Sequence, residues 1–134
     1  MTTSSTPDQV KSVTLPEAQI RLREDGILEV AYTMRGELNI EIARRIGAAM
    51  NAVTDRPRPC LIYINNLGGT SREARIYLAE HEEIKGTCSR IAGIATSPLA
   101  RIIGNFFIGF NKRTIPTQLF TDEAKAIEWL LLDS

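Results

Sequence analysis

Residues 61–80 read LIYINNLGGTSREARIYLAE. The first four positions are apolar without alternation, which marks a strand covered on both faces. Gly68-Gly69-Thr70-Ser71 then has turn composition. The segment after it repeats at helical spacing, with Ala74, Tyr77, Leu78 and His81 inward and Glu80, Glu82 and Glu83 toward water. Thr70-Ser71-Arg72-Glu73 fits a capping box, with the Thr70 hydroxyl accepting from the Glu73 amide and the Glu73 carboxylate accepting from the Thr70 amide. Gly86 is placed to end the helix. A buried strand that turns directly into a capped helix is the unit of an α/β fold.

The flanking sequence repeats that unit. Upstream, AQIRLREDGILEVAYT (18–33) reads as a hairpin. A two-residue Asp25-Gly26 loop pairs Arg23 with Leu28, whereas a Glu24-Asp25-Gly26 loop pairs Leu22 with Leu28 and Ile20 with Val30. The second register gathers apolar residues on one face and puts Gly26 at the left-handed position of a bulge, so it is the expected one. NIEIARRIGAAMNAVTD (39–55) has Ile42, Ala43, Ile46, Met50 and Val53 on one helical face, Asn39 as N-cap, and the prolines of Arg56-Pro57-Arg58-Pro59 as a stop. Cys60 then opens the apolar strand as a small hydrophobe, and Cys88 falls in a loop. Downstream come a buried strand RIAGIA (90–95), a Ser97 cap with Pro98 in the first turn, and the helix PLARIIGNFFIGFNKR (98–113). A strand TQLF (117–120) follows, then a helix capped by Thr121 with Ala124, Ile127, Leu130 and Leu131 on one face. The order ββαβαβαβα predicts a mostly parallel sheet of about five strands, an N-terminal antiparallel hairpin and about four helices.

Composition limits function. The chain has 134 residues, 43% hydrophobic and 24% charged, with sixteen basic and sixteen acidic side chains. That suits one globular domain. Zero net charge offers no field for a nucleic-acid backbone. No apolar run approaches the roughly 20 residues of a membrane span, and the N-terminus has no secretory h-region, so the expected location is the cytoplasm. Residues 1–16, rich in Ser, Thr and Pro, read as a flexible arm, leaving 17–134 as a single domain. Two cysteines and one histidine do not suggest a metal centre. No cofactor is expected: the turn at 68–71 has neither a P-loop ending nor a GxGxxG pattern. Nothing in the sequence orients His81 as a base, so no catalytic constellation is expected and the chain is read as a non-enzyme.

The element order resembles the STAS fold of anti-sigma-factor antagonists, the SpoIIAA-like βα superhelix. ARIIGNFFIGFNKR (100–113) followed by LFTDEAKAIEWL (119–130) resembles the C-terminal half of small bacterial proteins of the STAS/SEC14-type group, with Phe120, Asp122-Glu123, Ala126 and Trp129-Leu130 at their recurring positions. The resemblance implies regulatory protein binding, with a partner of the kinase or sigma-regulator type. It also implies a phosphorylated serine at the start of the second helix, where Thr70 and Ser71 stand. The family's Asp-Ser-x-Gly pattern is replaced here by Asn65-Asn66-Leu67-Gly68-Gly69-Thr70-Ser71-Arg72. From the residues themselves, Gly68, Gly69, Thr70, Ser71 and Arg72 fit either a well-capped helix start or an anion site at a helix N-terminus.

The helix at 98–110 is the second signal. Leu99, Ile102, Ile103, Phe106, Phe107, Ile108 and Phe110 cannot all face one sheet. A homodimer interface over Ile103, Phe106, Phe107 and Phe110 is expected, with Gly104 and Gly109 allowing close approach. The alternative is a small-molecule or lipid-binding domain built on this helix, since SEC14-type proteins resemble this architecture.

Overall fold

The computed structural model describes residues 11–110 and 115–132, with the backbone alone for 106–110. Strands β1 (Ser12–Thr14), β2 (Ala18–Leu22) and β3 (Leu28–Tyr32) are antiparallel neighbours. The chain continues through β4 (Gly36–Leu38), α1 (Ile40–Val53), β5 (Arg58–Tyr63), β6 (Leu67–Thr70), α2 (Arg72–Glu80) and α3 (Glu82–Lys85). It ends with β7 (Cys88–Ile94), α4 (Pro98–Phe110), β8 (Thr117–Phe120) and α5 (Glu123–Leu130). The main sheet has six strands in the order β1-β2-β3-β5-β7-β8, and β3, β5, β7 and β8 are mutually parallel. A separate two-stranded parallel ribbon joins β4 to β6.

The hairpin has the expected register: Leu22 faces Leu28, Ile20 faces Val30, and Gly26 has φ 87°. That conformation is one a Cβ disfavours. The Asp25 carboxylate accepts from the Ile27 amide and closes the turn.

Other expectations need correction. Residues 12–14 are not part of a loose arm, because their backbone pairs with β2 along its outer edge. Residues 1–10 lie outside the described residues. The second helix is broken at His81, which ends α2 and caps α3, so there are five helices among the described residues. His81 is exposed rather than inward, and its Nδ1 accepts from the Glu83 amide at 3.1 Å. Glu83 is half-buried, because the Tyr77 hydroxyl donates to its carboxylate. Gly47 on α1 leaves room for that hydroxyl. Cys88 is not in a loop. It opens β7 and is buried beside Cys60, the two Sγ atoms 2.7 Å apart. Burial, then the contact with Cys88, pushes the Cys60 thiol well above its ordinary pKa.

The sheet buries both faces. On one, Val30, Cys60 and Ile91 meet Ala43, Ile46 and Met50 of α1, Ala74 and Tyr77 of α2, and Ile84 of α3. On the other, Ile27, Leu61, Ala92 and Ile94 meet Ala126 and Leu130 of α5. Asn39 caps α1 as its sequence suggests, accepting from the Ile42 amide at 2.9 Å. In α5 the cap is Asp122, not Thr121: its carboxylate accepts from the amides of Ala124 and Lys125. Ala126 and Leu130 are buried with Ile127 packed beside them, while Ala124 and Leu131 are exposed.

Leu61 is fully buried at the centre of β5. Leu61→Ala should cost about 2–5 kcal/mol in denaturant unfolding. Ile76→Ala, on the exposed side of α2, should cost less than about 1 kcal/mol.

Candidate functional site

The parallel strands β5, β7 and β8 end along one edge of the sheet, and their loops are tied together there. Just past β5, Asn65 spans to the loop after β7. Its Oδ1 accepts from the Thr96 amide at 2.8 Å, and its Nδ2 donates to the Thr96 hydroxyl at 2.9 Å. Asn66 donates to the Tyr32 carbonyl at the end of β3, at 3.1 Å. Further along, the Tyr63 hydroxyl donates to Glu123 and so joins the end of β5 to the start of α5. Burial first, and this carboxylate second, raise the Tyr63 phenol above its ordinary pKa.

Gly68, Gly69 and Thr70, expected in an open turn, lie in strand β6 and pair with β4. A Cβ on Gly68 would stand 3.2 Å from the Gly36 Cα, so glycine lets the two strands of the ribbon approach without pressing on that backbone. Thr70 sits opposite Leu38, and the next amide, Ser71, donates to the Leu38 carbonyl at 2.9 Å. Thr70 is thus held as a strand residue, and the helix starts one residue later than the capping-box reading placed it. Ser71 is the N-cap, its hydroxyl accepting from the Ala74 amide at 3.1 Å. The Arg75 guanidinium donates to the Thr70 carbonyl at 2.7 Å and clamps the turn from one helical turn further on. Ser71 is half-buried, and Arg72 beside it is exposed with no carboxylate partner among the described residues.

Helix α4 packs against β6 and β8, next to this turn. Ser97 caps it, accepting from the Ala100 amide at 3.1 Å. Leu99 and Ile102, three residues apart and so on one face, are 58% and 66% exposed. Ile103 is not on that outward face: it is half-buried and with Gly104 lines an apolar pocket against the sheet. The side chains of Phe106, Phe107 and Phe110 lie outside the described residues. Arg101, Asn105, Asp122 and Lys125 line a polar cleft of ≈ 350 Å³ that takes in both α4 and the start of α5. Among the described residues no group of His, Cys, Asp and Glu could hold a metal ion, and no helix is long and apolar enough to cross a membrane. Asn65 and Arg75, which fix this edge, were not singled out from the sequence. Paired asparagines directly after a buried strand, and an arginine one turn past a cap, were the available signals.

This sheet order, with α1, α2 and α4 over one face and α5 over the other, defines a SpoIIAA-like α/β domain. An uncharacterised protein of the DUF3478 family with a SpoIIAA-like fold, from Shewanella loihica PV-4, matches with TM-score 0.50 and 22% identity over 84% of this chain and 91% of its own. The anti-sigma factor antagonist SpoIIAA in its unphosphorylated form matches with TM-score 0.50 and 18% identity over 84% of this chain and 96% of its own. The chain belongs to the DUF7793 family, a domain of unknown function whose family model matches residues 20–132. No curated protein matches it.

The position of the cap sets a direct test. Ser71→Ala should lower stability by about 1 kcal/mol. Thr70→Ala should cost less than about 0.5 kcal/mol, since no cap is lost. Urea titration of both variants checks the order.

Proposed function

We propose that this domain is a non-enzymatic, cytoplasmic regulatory module that binds a protein partner through the edge formed by Ser71, Arg72 and the first turns of α4. The observation that carries this reading is the exposed pair Leu99 and Ile102 on a helix that packs directly on β6. An apolar pair beside polar groups and a cation, Arg72, that has no carboxylate partner among the described residues has the make-up of an interface core with its rim. The fold shared with an anti-sigma factor antagonist supports a partner of the regulatory type, a kinase or sigma-regulator. Zero net charge speaks against nucleic acid.

Ser71 would also serve as a phospho-switch. Phosphate there adds nearly two negative charges at a helix N-terminus, where the dipole and Arg72 favour them and Glu73 opposes them. Because Ser71 is itself the cap, modification would exchange a hydroxyl acceptor for phosphate oxygens at the same amides. Self-association through Leu99 and Ile102 is the second reading, favoured by the same exposed pair.

The test uses the full chain as bait in lysate of its source cell, beside a Leu99→Asp/Ile102→Asp double variant and Ser71→Glu. A specific regulatory protein should be retained by the wild type and lost about tenfold from the double variant at unchanged melting temperature. Ser71→Glu should alter its retention. Equal retention by all three baits would remove the proposal. Sedimentation at micromolar concentration decides the second reading: a wild-type dimer that becomes a monomer in the double variant supports it, and a wild-type monomer ends it.

A further inference from the structure

Cys60 and Cys88 meet inside the core as free thiols, and neither serves the proposed interface. Cys60 lies on β5 and Cys88 at the start of β7, and both belong to the core under α1. In the ladder between these strands Cys88 is opposite Arg58 and Ile91 is opposite Cys60, with a register shift between Arg58 and Pro59. The shift lets β7 turn Cys88 and Ile91, three residues apart, to the face that carries Cys60. The Cys60 thiol donates to Cys88 Sγ at 2.7 Å, within an ångström of the bonded sulfur–sulfur length of about 2.05 Å.

The two thiols differ in access. Cys88 lines the half-open apolar pocket between the sheet and α4, whereas Cys60 is not among the residues that line it. A molecule the size of water reaches Cys88 from that side. Burial keeps Cys60 protonated, so Cys88 is the thiol that meets an oxidant first. A second step at Cys60 is intramolecular, with its partner already in contact.

We propose that Cys60 and Cys88 form an oxidation site, at which hydrogen peroxide converts the two thiols of the folded chain into a disulfide joining β5 to β7. The Cys88 sulfur attacks one peroxide oxygen. A sulfur–oxygen bond forms as the oxygen–oxygen bond breaks, and the departing hydroxide takes the Cys88 proton and leaves as water. The Cys60 sulfur then attacks the Cys88 sulfenic sulfur. The sulfur–sulfur bond forms as the sulfur–oxygen bond breaks, and the second hydroxide takes the Cys60 proton. Two thiols and one peroxide give one disulfide and two waters, with two electrons passing from the sulfurs to the peroxide. The bond encloses residues 61–87, the segment of β6, α2 and α3, and so restricts the unfolded chain. This stands apart from the partner-binding reading, which needs no oxidation.

The test is exposure of the native full chain to millimolar hydrogen peroxide over hours, followed by alkylation in denaturant and mass measurement. The wild type should lose the mass of two hydrogens, take up no alkylating reagent, and regain both thiols in dithiothreitol. The oxidised chain should melt several degrees higher than the reduced one. In Cys60→Ala no bond can close, and Cys88 should gain oxygen instead. In Cys88→Ala, Cys60 should stay reduced over the same period. The wild-type masses decide the matter if either variant fails to fold. Two alkylated thiols after exposure, a bond that forms only in urea, or one that joins two chains would overturn the proposal. So would an oxidised chain that melts lower than the reduced one, or Cys60 oxidised in Cys88→Ala as fast as the wild-type pair.

Discussion

Strand β5 must be apolar on both faces, and the rest of the molecule follows from that. It is hydrogen-bonded on both sides, to β3 and to β7, so it has no edge left for water. Cys60 and Ile62 point to the α1 side, and Leu61 and Tyr63 to the α5 side. A strand of this kind is stable only if helices cover both surfaces, which forces crossovers between successive parallel strands. Those crossovers put the connecting loops at the strand ends, where the polar residues gather.

The edge that results is built rather than loose. Asn65 ties the loop after β5 to the loop after β7, and Arg75 holds the Thr70 carbonyl. The β4–β6 ribbon fixes the backbone up to Ser71. Leu67 and Thr70 of that ribbon also line the apolar pocket behind it.

Much of the fold was legible because its signals are local. The hairpin register followed from which slip gathers Ile20, Leu22, Leu28 and Val30, and the α1 cap followed from Asn39 before a periodic run. The cap of α2 was misplaced by one residue for a non-local reason. Thr70 and Ser71 can both cap a helix, and the pairing of Thr70 with Leu38, far upstream in β4, holds Thr70 in the strand and leaves the cap to Ser71. The same kind of cause put Cys88 in a strand: its environment is Cys60 on the neighbouring strand, which no local pattern reveals. The α5 cap was misplaced because Asp122 accepts two amides where Thr121 was expected to cap, while Ile127 and Leu130 face the core as their spacing suggests. The outward apolar pair was hidden by excess. Helix α4 has so many large hydrophobic residues that the sequence could not sort Leu99 and Ile102 from Ile103.

The central claim is that the edge around Ser71 and the start of α4 acts as one recognition surface. Amide hydrogen exchange of the chain, free and bound to the protein it retains, measures this most directly. The account predicts added protection in residues 70–75 and 98–102 together, with α5 and the β1 edge unchanged. Protection confined to α5 or to β1, with both of those segments exchanging as in the free chain, would contradict it.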